Sequence, residues 1–182
     1  MNYMKHLFYI LMALLACGPL TGCLGGNSVE DEYKDWREAN DAWYEQQAAS
    51  GYYTTAVASW DPSAQVLIHW YNDTTLTKDN LKPLYTSTVD VKYRGQLYNA
   101  TPFDSSYLRV SPADSIFRTN LNGSVIEGWA IGLMRMHVGD SCRIVVPYHQ
   151  GYGSNKMNDV VVPYSMLVFD IKLVDIYGYR KN

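Results

Sequence analysis

Cysteine is scarce in this chain of 182 residues, which contains only Cys17, Cys23 and Cys142. The first two belong to an N-terminal export segment, so Cys142 would be the single unmodified thiol of the exported body. A disulfide-stabilised fold is therefore not expected, although exported proteins meet an oxidising environment. The alternating apolar residues around Cys142 indicate a buried, protonated thiol and not a nucleophile.

Motifs for covalent, metal or nucleotide chemistry are also missing. The sequence contains no G-x-S-x-G, no phosphate-binding loop and no dinucleotide fingerprint. His69, His137 and His149 show none of the spacings of a zinc site. We therefore predict no metal, no cofactor and no covalent nucleophile.

Positive charge is too sparse for binding to nucleic acid. The chain has 15 Lys and Arg against 18 Asp and Glu, a net charge of −3. Removal of residues 1–22 would take Lys5 and no acid, which makes the remainder more negative. We predict no nucleic-acid partner. With 47% hydrophobic and 18% charged residues, the composition is that of a globular protein of about one domain.

The N-terminus has the features of an export signal. Lys5 precedes an uncharged apolar run over residues 7–16. A run of about ten residues is too short for a membrane span, which needs roughly 20. Leu20-Thr21-Gly22-Cys23 resembles the lipobox of bacterial lipoproteins, in which a diacylglycerol is attached to the cysteine before cleavage. A plain secretory signal is the alternative.

We therefore predict a lipoprotein signal peptide over residues 1–22 and lipidation of Cys23. Leu24 resembles the residue that follows the cysteine in lipoproteins sorted to the outer membrane. The expected location is the outer membrane, with the protein anchored through its N-terminal lipid and facing the periplasm.

Residues 23–50 are predicted to contain a tether and one amphipathic helix. Residues 24–28 have a tether composition, whereas residues 29–49 lack Pro and Gly and carry aromatic residues at helical spacing. Gly51 follows this segment. We expect the aromatic stripe to pack on the chain's own domain. The alternatives are a homodimer through residues 29–50 or docking of another partner.

Residues 51–182 are predicted to form one α+β domain. Residues 66–70 and 89–93 are rich in β-formers, and residues 142–146 and 167–173 alternate as expected for half-buried antiparallel strands. Between them, Trp129, Leu133 and Met136 share one face of a short helix.

Five short segments in this domain carry aromatic and branched residues next to turns. They are Val91-Lys92-Tyr93-Arg94-Gly95, Phe103-Asp104-Ser105-Ser106, Val125-Ile126-Glu127-Gly128-Trp129, Gly151-Tyr152-Gly153 and Leu167-Val168-Phe169-Asp170. In order and spacing they resemble the FKBP-type peptidyl-prolyl isomerase domain, over residues 88–176. The resemblance implies an antiparallel half-barrel β-sheet wrapped around one short α-helix, here preceded by the N-terminal helix and tether.

The resemblance also implies an apolar proline pocket between sheet and helix. Trp129 would form its floor. The residues that would surround it are the aromatic walls Tyr93, Phe103 and Phe169, the hydroxyl donor Tyr152, the rim residues Val125 and Ile126, and the polar edge residue Asp104. Arg109 stands where the family carries an arginine that pairs with this aspartate. Val161 lies in the loop expected to touch the residue before proline.

Two segments depart from the family pattern. Residues 98–102 replace the usual Asp-Gly turn, and the aromatic stretch at Ile116-Phe117-Arg118 matches loosely. Which of Ile116 or Phe117 reaches the pocket is left open by the sequence.

The resemblance implies a peptidyl-prolyl isomerase that acts on proline-containing exported polypeptides. The alternative is a proline-peptide-binding module or chaperone with little turnover. Both use the same pocket, and the isomerase is the function that the resemblance favours.

The lipobox generates the first testable prediction. Cys23→Ser removes the only thiol that can accept the lipid, so the variant should leave the membrane fraction for the soluble fraction. Fractionation and immunoblotting of cells that express each form measure this, with Cys142→Ala as the control that stays in the membrane. If Cys23→Ser partitions like the parent, the anchor lies elsewhere.

Overall fold

The computed structural model describes residues 28–179, in which seven antiparallel strands form one sheet. The strands are β1 (Thr54–Val57), β2 (Gln65–Trp70), β3 (Thr88–Leu97), β4 (Pro102–Ser105), β5 (Phe117–Asn120), β6 (Ser141–Val146) and β7 (Leu167–Ile176). Their spatial order is β1-β2-β6-β7-β3-β4, and β5 pairs with the first residues of β3, on the edge of β3 where β4 pairs farther along. The signal peptide and Cys23 lie outside the described residues.

The helices are α1 (Val29–Glu32), α2 (Lys34–Ala49) and α3 (Glu127–Leu133). Single turns of 3-10 helix occur at Thr74–Leu76 and Tyr148–Gln150. The predicted α+β class, the short helix and the N-terminal helix are confirmed. The N-terminal helix is interrupted at Tyr33, and Ser28 begins it with a capping box that includes Asp31. None of these helices is long and apolar enough to span a membrane.

Helix α3 packs very closely on strand β6. A Cβ added at Gly128 would lie 2.3 Å from Val146 Cγ1, and one at Gly132 would lie 3.1 Å from Ile144 Cγ2. Residues 128–133 are all buried. The two glycines therefore allow the helix backbone to lie against the strand, and Trp129 and Leu133 enter the main core.

Both faces of the central strands are buried, which corrects the prediction of half-buried strands. The face toward α3 carries Cys142, Ile144 and Val146 of β6, as the alternation predicts. The opposite face carries Val145 and Val168, which are 0% and 3% exposed. They pack in a second, smaller core with Tyr44 of α2. The strand pattern alone does not reveal this, because the covering helix comes from a distant part of the chain.

Helix α2 is fixed to the sheet by aromatic and polar contacts. The ring of Trp36 lies 5.2 Å from that of Tyr98, and its indole N–H donates to Ser165 Oγ at 3.3 Å. Asn40 is fully buried, and its side-chain oxygen accepts from the Met166 backbone N–H at 2.7 Å. The expectation that the aromatic stripe packs on the chain's own domain is therefore confirmed.

The unusual β3–β4 turn belongs to this same contact. Tyr98 follows β3, and its ring lies 5.2 Å from Trp36 and 6.0 Å from Trp43. Ala100 completes the turn with a φ of 66°. Residues 98–101 therefore form a turn whose first residue reaches the N-terminal helix.

The buried amide of Asn40 generates the second prediction. Asn40→Ala leaves the buried Met166 N–H without its acceptor, which should lower the free energy of unfolding by about 2 kcal/mol and Tm by about 4–8 °C. Differential scanning calorimetry measures this. Gln46→Ala, on the exposed face of the same helix, is the matched control and should change Tm by less than about 2 °C. Equal effects of the two variants would contradict the proposed anchoring contact.

Candidate active site

A shallow cavity of about 140 Å³ opens where the N-terminus of α3 meets strands β3, β4, β5 and β7. Its lining residues are Tyr93, Phe103, Asp104, Arg109, Phe117, Ser124, Val125, Ile126, Trp129, Tyr152 and Phe169. We call this cavity the aromatic pocket. All predicted site residues of the domain except Val161 lie on its lining.

Trp129 lies at the base of the aromatic pocket and is 4% exposed. Its ring meets Tyr93 at 4.9 Å and Phe169 at 5.3 Å, with interplanar angles of 84° and 87°. Such edge-to-face contacts hold aromatic rings in fixed orientations. The buried Trp129 indole nitrogen has no hydrogen-bond partner within residues 28–179. The base of the pocket is therefore built from aromatic rings that fix one another's orientation.

The side walls depend on a glycine in β3. Gly95 lies opposite Phe169 in the β3–β7 pairing, and a Cβ at this position would lie 2.8 Å from Phe103 Cζ and 3.0 Å from Phe169 Cε1. The two phenylalanine rings meet edge to face at 5.5 Å. Absence of a side chain at Gly95 therefore allows Phe103 and Phe169 to close over the sheet.

The polar edge differs from the expected ion pair. We expected Asp104 to pair directly with Arg109, but no ion pair within 4.0 Å joins them among the described residues. Asp104 instead accepts a hydrogen bond from the Tyr93 hydroxyl and a second from the Ser105 N–H at 2.7 Å. The Arg109 guanidinium stacks over Phe117, 4.7 Å from the ring centroid.

Burial is the main cause that raises the pKa of Tyr93 above its usual value, and the hydrogen bond to Asp104 adds to it. Arg109 beside the hydroxyl lowers the pKa of Tyr93 by a smaller effect. The Tyr93 hydroxyl therefore stays protonated at neutral pH. It lies between the Asp104 carboxylate, to which it donates, and Arg109.

Tyr152 offers an aromatic hydroxyl on the lining that is not already engaged, whereas the Tyr93 hydroxyl donates to Asp104. Burial raises the pKa of Tyr152, with a smaller contribution from the Asp104 charge, so its hydroxyl also stays protonated at neutral pH. No hydrogen bond of this hydroxyl occurs within residues 28–179. It can therefore donate to a carbonyl oxygen of a bound peptide.

The structure resolves the alternative between Ile116 and Phe117. Phe117 pairs with Val91 across β5 and β3, so it shares the inner face of the sheet, and its ring lies 6.0 Å from Trp129. Ile116 is 6% exposed and does not line the pocket. Alternate residues of β3 face the core, and the β5 residues that pair with them face the same way. This alternation selects Phe117 over Ile116.

Ser124 joins the rim and escaped the sequence analysis, although it directly precedes the matched residue Val125. Val161, in contrast, is 1% exposed and packs in the main core. Its N–H donates to Asn158 Oδ1 at 2.7 Å, which folds the loop back on itself. The predicted substrate contact of Val161 is therefore not supported, because the loop buries this side chain.

Comparisons with solved structures show the same fold. A peptidyl-prolyl cis-trans isomerase from Pseudomonas syringae pv. tomato superposes with a TM-score of 0.63 over 79% of this chain and 95% of that one, at 24% identity. FkpA from Escherichia coli superposes with a TM-score of 0.66 over 81% of this chain and 62% of that one, at 26% identity. The fold is therefore that of peptidyl-prolyl cis-trans isomerase domains.

The sequence comparisons specify this class further. Residues 80–174 match the model of the FKBP-type peptidyl-prolyl cis-trans isomerase family, and the chain belongs to this family. It is 40% identical over 88 residues to FkpA from Buchnera aphidicola subsp. Schizaphis graminum, covering 48% of this chain and 32% of that protein. It is 36% identical over 94 residues to FK506-binding protein 1A from Neurospora crassa, covering 52% and 76%. The chain thus spans about a third of the Buchnera relative.

The Tyr93–Asp104 hydrogen bond generates the third prediction. Tyr93→Phe should lower the free energy of unfolding by about 1 kcal/mol at pH 7, because the bond is lost while water can still solvate the exposed carboxylate. Since the pKa of Tyr93 is raised on folding, this contribution is present below the unfolded value of about 10 and is lost as the pH rises above it. Urea unfolding between pH 7 and 11 measures the difference.

Tyr107→Phe is the matched control for this series. Tyr107 is 45% exposed, and its ring, which Arg94 covers at 4.5 Å, remains in the variant. The control should unfold like the parent at each pH. A loss in Tyr93→Phe that grows above pH 10 would contradict the assignment.

Proposed function

We propose that this protein catalyses cis-trans isomerisation of X-Pro bonds in exported polypeptides, with the aromatic pocket as its active site. The single observation that carries this proposal is the aromatic base at Trp129 with the Tyr152 hydroxyl, free to donate to a peptide carbonyl, beside it. The pocket holds no acid, base and nucleophile constellation for bond cleavage. Its shape and polarity suit a reaction that breaks no covalent bond.

The barrier to this reaction is the amide resonance of the X-Pro bond. Rotation costs about 18–20 kcal/mol and takes tens of seconds or more without a catalyst. In the twisted state conjugation is lost and the amide dipole shrinks. A dry apolar pocket disfavours the twisted state less than the planar one, so desolvation lowers the barrier.

Orientation of the bound peptide is a second way in which the pocket lowers the rotation barrier. The proline ring would lie on Trp129 between Phe103 and Phe169, which restrains the ring while the preceding residue turns. Tyr152 would donate its hydroxyl to a carbonyl oxygen of the bound peptide. A combined lowering of about 5 kcal/mol would accelerate rotation by more than 10³-fold. Val125 and Ile126, at the start of α3, would contact the chain on either side of the proline.

The alternative is a proline-binding module or chaperone that uses the same pocket with little turnover. Both functions require binding of a proline-containing peptide, and only the first accelerates exchange between its cis and trans forms. Membership of the FKBP-type peptidyl-prolyl cis-trans isomerase family favours the enzyme, because a preformed donor and an aromatic base would serve binding equally well.

The location of the protein forms part of the proposal. The lipobox at Cys23 and the tether over residues 24–28 support a lipoprotein anchored through its N-terminal lipid in the outer membrane, facing the periplasm. Exported polypeptides would meet the pocket there. A homodimer through residues 29–50 is less well supported, because Trp36, Asn40 and Tyr44 already contact the chain's own sheet.

The fourth prediction compares a pocket variant with a core variant. Trp129→Leu keeps an apolar side chain but removes the flat base, so kcat/KM for an Ala-Pro peptide should fall about tenfold or more. Cys142→Ala removes a fully buried thiol outside the pocket and should lower stability by about 1–2 kcal/mol while kcat/KM changes less than about twofold. A protease-coupled assay at 10 °C and urea unfolding measure the two quantities. Equal losses of kcat/KM in the two variants would show that Trp129 is not part of the active site.

The fifth prediction concerns pH. Tyr93 and Tyr152 both have raised pKa values, and the three histidines of the described residues lie off the pocket lining. We therefore expect kcat/KM to vary less than about twofold from pH 5.5 to 8, with or without a chelator. A steep optimum in this range in the folded protein would contradict catalysis by desolvation and orientation alone.

A further inference from the structure

A second apolar depression lies next to the aromatic pocket and shares one of its walls. Val125 lines both. The depression has a volume of about 140 Å³, and its other lining residues are Trp60, Tyr85, Leu121, Gly123, Glu127 and Ala130. It therefore begins where a peptide would leave the aromatic pocket over the N-terminus of α3.

Trp60 connects this depression to a third and larger one of about 300 Å³. Its lining consists of the apolar residues Val57, Ala58, Trp60, Pro83, Leu84, Ile131 and Met134, together with Ser59, Lys82 and Arg135. We call the two connected depressions the flanking groove. The flanking groove follows α3 on the side away from Trp129, from Glu127 to Met134.

The aromatic side chains of the flanking groove are held in place although they are exposed. The Trp60 indole N–H donates to Glu127 Oε1 at 3.0 Å, and its ring packs on Tyr85 at 5.6 Å. Trp60 is 44% exposed, Tyr85 42% and Leu84 68%. Their remaining apolar surface faces solvent, as in a surface that binds a partner. Packing of the hydrophobic core does not depend on these exposed surfaces.

Helix geometry sets the distance between the two sites. Ile126 at the aromatic pocket and Met134 at the far end of the flanking groove are about 12 Å apart along the helix axis, at 1.5 Å per residue. An extended peptide advances about 3.3 Å per residue. A peptide bound through proline would therefore reach the far end of the groove after roughly three or four residues.

We propose that the flanking groove binds a large apolar side chain three or four residues from the proline of the same client polypeptide. This inference rests on the proposed function, because the proline must occupy the aromatic pocket. The groove would direct the protein to prolines near apolar segments, which are buried in folded proteins and accessible in unfolded ones. Trp60 and Leu84 are then specificity-determining residues and not catalytic ones.

Matched peptides test this inference in the full exported chain with Cys23→Ser. One peptide carries Ala-Pro with only Ser and Gly around it. Two others carry Phe four residues before or four residues after the proline. Fluorescence anisotropy gives Kd, and NMR exchange spectroscopy of the same peptides gives kcat/KM. In the parent protein, one of the Phe peptides should bind about five- to tenfold more tightly than the Ser peptide.

Two variants and a control assign this gain to the groove. Trp60→Ala and Leu84→Ser should each reduce the gain to less than about twofold, while kcat/KM for the Ser peptide stays within about twofold of the parent. Leu76→Ser is the matched control, since Leu76 is 82% exposed and lies on the 3-10 helix outside the groove lining. It should leave the gain unchanged. Circular dichroism confirms that each variant folds.

The outcomes separate the inference from the proposed function. A gain that is absent in the parent, or that survives both groove variants, overturns the inference. A Ser peptide that is not isomerised by the parent overturns the proposed function, whereas a groove-dependent gain in Kd would still support the inference. Sedimentation in which the parent is a dimer and Trp60→Ala a monomer would show that a second copy covers the groove, and this also overturns the inference.

Discussion

The close approach of helix α3 to strand β6 determines where the aromatic residues of the pocket lie. Gly128 permits a separation that any side chain would prevent, since its Cβ would overlap Val146. At this depth Trp129 reaches the rings of Tyr93 and Phe169, which come from two neighbouring strands. If α3 lay farther from β6, Trp129 would move away from Tyr93 and Phe169, and these edge-to-face contacts would be lost. The glycine thus links the helix packing to the pocket.

The same sheet carries a second packed face. Helix α2 covers Val145 and Val168, and Asn40 bonds to the backbone at Met166, one residue before β7 begins. Phe169 projects from β7 toward the aromatic pocket. Helix α2 therefore packs on the opposite face of β7, the strand that supplies Phe169 as a pocket wall. This arrangement explains why the β3–β4 turn carries Tyr98, whose ring contacts the helix.

Local patterns in the sequence were sufficient for features that depend on near neighbours. The period of two around Cys142 predicts one buried face of β6, and the spacing of Trp129 and Leu133 predicts α3, although the helix ends at Leu133, before Met136. Features that depend on distant partners could not be read in this way. Val145 is buried because a helix about a hundred residues earlier in the chain covers it, and Val161 is buried because its loop folds back through Asn158. The direct Asp104–Arg109 ion pair is absent within 4.0 Å among the described residues, and Asp104 instead accepts a hydrogen bond from Tyr93.

The central claim is that the aromatic pocket accelerates rotation about an X-Pro bond. Two-dimensional NMR exchange spectroscopy of a short Ala-Pro peptide measures this most directly, with the exported chain carrying Cys23→Ser at about one-hundredth of the peptide concentration. Cis-trans exchange, which is too slow to detect in the free peptide, should give clear exchange peaks within a mixing time of under about one second. Peptide resonances that shift on binding while exchange peaks remain absent would contradict the claim and identify a proline-binding module without turnover.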